Sequence, residues 1–200
     1  MSTSETTRPA PAHAADAPPL LVRASLAVER AQALDPLVET AQPWARALVD
    51  GPVRQWLLLG RPLGHALHPV LTDAPLGLWM SASALDLLAG PDARPAARRL
   101  VGLGVLSAVP TALTGAAEWS RTRDRDARVG VAHAVGNSVG LALYGASWLA
   151  RRRGRHVLGA TLALAGAGVA GASGYLGAHL AVARDVGSRD PAFAEDAATA

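Results

Sequence analysis

The sequence contains no cysteine, so this chain cannot hold a disulfide, a cysteine-ligated zinc ion or an iron–sulfur cluster. Lysine and isoleucine are absent too, and only one phenylalanine occurs in 200 residues. All 19 basic residues are therefore arginine, which beside so much alanine looks like GC-rich coding rather than a functional choice. With few β-branched and aromatic side chains, the chain is a poor candidate for a β-sandwich or a parallel sheet. What it has instead is Ala, Leu, Val and Gly, a composition suited to closely packed helices. The arginines fall in short clusters between apolar runs, not along a helix face or groove, which argues against a nucleic-acid partner. No nucleophilic triad, phosphate loop or zinc-protease helix motif is present, so no enzymatic activity is read from the sequence.

Composition divides the chain. Residues 1–20, MSTSETTRPAPAHAADAPPL, lack periodicity and are expected to be a disordered tail, as are residues 186–200. The start has no basic stretch followed by an apolar core and so is not a cleavable signal peptide. Residues 21–60 form an amphipathic helical lead-in, with Leu26, Leu34, Leu37, Val38, Ala41, Ala45 and Leu48 recurring at steps of three and four. Asp35-Pro36 has the form of an N-cap followed by proline in the first turn, and Pro43 is expected to kink or end that helix. GPVRQWLLLG, residues 51–60, is a short helix that either lies at a membrane interface with Trp56 at headgroup level or packs on the remainder of the chain.

Residues 61–185 have a different character. Four apolar runs, at about 69–90, 100–119, 129–150 and 157–183, each approach the roughly 20 residues that a bilayer core demands. Their connections are short and polar: PDARPAARR, SRTRDRDAR and RRRGRH. A soluble bundle would show a polar stripe on each helix, and these runs show almost none. The expected fold is all-α: a polytopic membrane protein with four transmembrane helices in an antiparallel bundle. Small residues, as in GLGVLSA and GAGVAGASG, let such helices approach closely.

Antiparallel spans bring the start of the first, the end of the second, the start of the third and the end of the fourth to one membrane face. His65, His68 and Asp73, then Glu118, then His133 and Asn137, then Tyr175 and His179 all fall at that level. Polar groups inside a membrane are costly and face the bundle interior or a cavity, so these residues are expected to line one site. His133 and Asn137 share a helix face, as do Tyr175 and His179. Gly136, Gly140, Gly174 and Gly177 leave room for a bulky group or for tight packing. Two readings stay open. His133 and His179 could axially ligate a b-type haem. The same histidines with His68 or His65 and a carboxylate could instead hold a metal ion. Against both stands a structural role, with each histidine bonding a neighbouring helix, His68 capping its own helix before Pro69, and Glu118 pairing with Arg121 or Arg128. The first and third runs both begin with a histidine and end before an arginine-rich loop, a faint sign of two repeated hairpins.

GHALHPVLTDAPLGLW, RVGVAHAVGNSVGLALYGASWLARR and GYLGAHL resemble the bacterial membrane family called domain of unknown function 2231, over roughly residues 55–185. His65, His68, Pro69, Asp73 and Pro75 match its first motif, with Ala66 where the family usually has proline. His133 and Asn137 match the third-helix motif. Gly174, Gly177 and His179 match the fourth, with Ala178 in place of a usual glycine. The resemblance implies a four-helix membrane domain, and the Rieske-type domain fused to some relatives implies electron transfer. The 14 residues of GSRDPAFAEDAATA cannot form such a domain, so a redox partner would be a separate soluble protein.

Function is thus read as a redox-associated membrane component carrying haem or metal. The alternatives are a small-molecule or proton carrier and a non-enzymatic scaffold, either of which can also self-associate. The expected location is the bacterial inner membrane. Eight arginines flank the spans on the side of the termini against seven on the other, so charge does not orient the chain. The lack of a signal peptide tips both termini toward the cytoplasm.

Overall fold

The computed structural model describes residues 17–193. Every regular element among them is helical: α1 (Leu20–Arg30), α2 (Asp35–Leu48), α3 (Pro52–Leu58), α4 (Leu67–Leu88), α5 (Arg94–Trp119), α6 (Asp124–Arg152) and α7 (His156–Ala178). The last of these runs on into a π-helical turn over His179–Ala183. Of the two segments read as tails, residues 1–16 and 194–200 lie outside the described residues. Residues 186–193 fold back across the start of α4, where the Asp190 N–H donates to the Gly64 carbonyl at 2.9 Å. Phe193 stacks there on His65 with ring centroids 4.6 Å apart.

The lead-in packs on the bundle through polar anchors. Gln42 Nε2 donates to the Thr122 carbonyl at 2.8 Å, and Arg128 grips both Asp35 oxygens at 2.6 and 2.9 Å. Asp35 therefore opens α2 without capping it: the helix has no side-chain cap, because the carboxylate is drawn to α6 instead. Pro43 does not end α2, which continues to Leu48. The side chain of Trp56 remains largely exposed on α3.

Helices α4–α7 form an up-and-down bundle in which α4 and α6 each pack on both α5 and α7. This leaves α4 and α6 diagonal to each other across the centre. The polarity is inside out for a water-soluble bundle. Val70, Met80, Leu88, Leu106 and Val157 are exposed, while Thr111, Thr114, Ser147 and Ser173 are buried. Such a broad apolar exterior needs an apolar solvent or partner. Two segments, Pro91–Trp119 and His156–Ala183, are long and apolar enough on their own to cross a membrane. The other two expected spans do not reach that measure, since α4 carries Asp73 and Asp86, and α6 opens with Asp124–Arg128 and carries His133 and Asn137.

The centre of the bundle shows a repeat. Advancing 65 positions carries α4 onto α6, and advancing 62 carries α5 onto α7. His68 corresponds to His133, Trp79 to Tyr144 and Asp86 to Arg151. Each of these pairs meets across the bundle axis. The two imidazoles lie edge to face with centroids 6.3 Å apart. The Trp79 and Tyr144 rings stack at 3.9 Å, within 6° of parallel. Arg151 Nη1 donates to Asp86 Oδ1 at 2.7 Å, and Nη2 donates to Oδ2. The other diagonal supplies the small partners. Gly104 on α5 and Gly166 on α7, again equivalent, let the two central rings lie against the backbone: a Cβ at Gly104 would strike Trp79, and one at Gly166 would press tightly on Tyr144. Long side chains from one diagonal thus pack against small ones from the other.

Candidate functional site

Near the amino ends of α4 and α6 both hairpins build the same local device. His68 Nδ1 lies 2.9 Å from the Thr111 carbonyl, and His133 Nδ1 lies 2.7 Å from the Ser173 carbonyl. Only a donor can bond a carbonyl, so each imidazole in its neutral form carries its proton on Nδ1 and its lone pair on Nε2. Four residues beyond each carbonyl stands a glycine, so that Thr111 with Gly115 and Ser173 with Gly177 repeat one spacing. A Cβ at Gly115 would sit 2.8 Å from His68 Cε1, and one at Gly177 would sit 2.7 Å from His133 Cε1. The rings thus lie flat against α5 and α7. Hydroxyls reinforce the clamp: Thr111 Oγ1 donates to the Leu71 carbonyl at 3.0 Å, and Ser173 Oγ donates to the His133 carbonyl at 2.7 Å. His68 is the second residue of α4, with Ala66 at the cap position, so its ring is free for this role. The Nε2 atoms differ. Asn137 Nδ2 stands 2.9 Å from Nε2 of His133 and donates to its lone pair, as the i and i+4 spacing allows.

The other candidate residues are dispersed. His179 bonds Glu29 of α1 through Nε2 at 2.8 Å and does not join His133. The physical reason is the position of His133, whose ring is turned onto Gly177 and the Ser173 carbonyl, a full turn before His179. His65 stacks on Phe193, Asp73 is exposed on α4, and Tyr175 is largely outside the bundle. Glu118 pairs with neither Arg121 nor Arg128. Its Oε2 accepts from the Ser188 N–H at 3.0 Å and hydroxyl at 2.9 Å, while Oε1 is buried without a partner. Glu118 also borders an open cleft of about 620 Å³ whose charges are mixed, Arg121 and Arg184 facing Asp124 and Asp126. Among the glycines, Gly136 meets Ser173, Gly140 meets Ala170, and Gly174 faces open space.

No cluster of three or more His, Asp or Glu able to hold a metal ion occurs among the described residues. The candidate histidines that the structure brings together are His68 and His133. The geometry alone does not give the family, but a family model does. One described as "Predicted membrane protein (DUF2231)" matches residues 64–190. The chain belongs to the DUF2231 family. No curated protein and no solved structure matches it. The DUF2231 match runs from just before His68 to just past Ser188, so it takes in both hairpins and the returning segment over Glu118. Membership makes this a membrane protein, and its described elements are helical.

Outside the bundle, the Arg128 guanidinium bonded to Asp35 holds that carboxyl below its ordinary value of 3.8. Sequence reasoning found His68, His133 and Asn137 but missed Thr111, Gly115 and Ser173, which position the rings. Their signal was available as the matched Thr-x-x-x-Gly and Ser-x-x-x-Gly spacings.

Proposed function

We propose that this protein is a membrane electron carrier whose redox centre is held between His68 and His133, one imidazole from each hairpin. The observation that carries this reading is the pairing of the two rings across the bundle axis, each with Nδ1–H committed to a backbone carbonyl. That second bond fixes tautomer and ring orientation, which is how ligating histidines are held. The two ring centroids lie 6.3 Å apart, edge to face. His68 and His133 would hold a b-type haem or a single metal ion through their imidazole nitrogens, and that group would supply the electron-accepting chemistry. Either group would require the Asn137 amide to give up its bond to His133 Nε2.

On this reading α4–α7 are four membrane spans in the inner membrane of a bacterium, with residues 21–60 resting on one end and both termini in the cytoplasm. A C-terminal fusion reporter that signals export would overturn the orientation. Electrons would pass to or from a separate soluble redox protein.

The test is an optical spectrum of the detergent-purified protein, reduced minus oxidised, with metal analysis of the same sample. A difference spectrum lost in His68→Ala and in His133→Ala, and kept in His179→Ala, is the expected result. A colourless, metal-free protein from haem-replete cells would overturn the proposal. The second reading would then stand: the same bonds from Nδ1 and from Asn137 make the histidines fasteners between helices, at about 0.6–1.7 kcal/mol each in a membrane.

A further inference from the structure

At the opposite end of the bundle lies a second cleft, of about 360 Å³, between the last turn of α6 and the first turns of α5 and α7. Its charged lining is wholly basic: Arg94 and Arg98 from α5, Arg151 and Arg152 from α6, and His156 from α7. Arg151 is consumed by Asp86. Arg94, Arg98 and Arg152 make no ion pair among the described residues. Like charges are not usually gathered in a concave site without an anion to face, because each raises the cost of the others.

Four features point to a built cluster. Arg94 and His156 are the same position in the two hairpins, 62 residues apart, so each repeat contributes one cationic or donor group to the cleft. Arg152 is held by its neighbour, with its guanidinium 4.8 Å from the centroid of the Trp148 ring. His156 Nδ1 is buried without a hydrogen-bond partner, although it lines the cleft. A buried polar atom without a partner is rare and needs an explanation. Arg94 and Arg98 stand at i and i+4 on one face of α5, so their guanidinium groups reach toward a common point.

We propose that this cleft binds a phosphate group. Planar guanidinium forks match phosphate oxygens. The group would come from the headgroup of an anionic phospholipid or from inorganic phosphate. This site lies at the far end of the bundle from His68 and His133 and does not depend on them.

The test uses the full chain in a neutral detergent at low salt, with dioleoyl phosphatidylglycerol, dioleoyl phosphatidylcholine and inorganic phosphate as separate probes. Thermal shift and native mass spectrometry read binding. Each arginine near such a surface is worth about a fivefold change in affinity, so R94Q/R98Q/R152Q is expected to weaken phosphatidylglycerol about a hundredfold. The R123Q/R125Q variant, at the other end, should change it less than about twofold. Phosphatidylglycerol binding lost in the triple variant identifies a lipid headgroup. A shift with millimolar phosphate alone, also lost in the triple variant, identifies a free phosphate. Should the triple variant fail to fold, R98Q and His156→Ala serve singly, each expected to cost about fivefold. Binding of both anionic probes that is equal in wild type and variants would overturn the proposal.

Discussion

The pair Asp86–Arg151 offers the sharpest test of the repeat, because its members are the same position in the two hairpins and carry opposite charge. The Arg151 side chain is 0 % exposed and that of Asp86 is 13 % exposed. Arg151 Nε also donates to Ser147 Oγ at 3.1 Å. Removing Asp86 leaves a guanidinium buried without its counter-ion, a defect of about 3–5 kcal/mol. The lower figure applies here, since Asp86 is not fully sealed and the remaining Ser147 bond shields part of the charge. About 3 kcal/mol is roughly a hundredfold in the unfolding equilibrium. Asp86→Ala should therefore unfold at markedly lower denaturant in a detergent titration. The double variant D86L/R151M should recover most of the loss, because an apolar pair of similar volume needs no desolvation to be repaid. The exchange D86R/R151D should also recover part of it, because the two positions are equivalent. An Asp86→Ala cost under about 1 kcal/mol, or a double variant as damaged as either single, would refute the argument.

Other consequences arise from the same geometry. Trp79→Ala should cost about 3–5 kcal/mol through the lost volume and stack, whereas Trp79→Tyr, which makes the two hairpins alike, should cost much less; thermal unfolding separates them. His179→Ala should loosen α1 by about 1–3 kcal/mol, since Glu29 is buried and loses its bonded partner, with faster proteolysis near Glu29 as the readout. The depressed Asp35 carboxyl contributes stability that is present above its ordinary value of 3.8 and is lost as pH falls through the lower folded value. The melting temperature should therefore drop with acid in that range, and Asp35→Asn should flatten the drop; an unchanged slope would contradict the pairing with Arg128.

Much of the architecture was legible in the sequence because apolar runs and short polar loops report helices directly. The helical lead-in and the bundle were visible in that way. The repeat was only glimpsed, since outside the central residues the two hairpins share little. Its firmest members are unlike in chemistry: Trp79 against Tyr144, Asp86 against Arg151. Equivalent sites that face each other need complementarity, not identity, so similarity searching by eye undervalues them. The choice of His179 as partner for His133 failed for a related reason. Depth along a helix is readable from residue number, but direction around the axis is set by packing, and Gly177 turns the His133 ring away from α1. Glu29, Asp35 and Ser188 were not foreseen as partners because their contacts join residues between 70 and 150 positions apart.

The two hairpins run in the same sense, His68 and His133 both near the start and Asp86 and Arg151 both near the end. This gives the molecule a permanent polarity. Transporters built from inverted halves can exchange the conformations of those halves and so open alternately to either side. Here the exchange is a half-turn about an axis along the helices, and it returns the same end to the same side. The imidazole end and the arginine end are therefore never interchanged, whatever motion the hairpins undergo. A protein made this way keeps two unlike ends, the imidazole pair at one and the arginine cluster at the other.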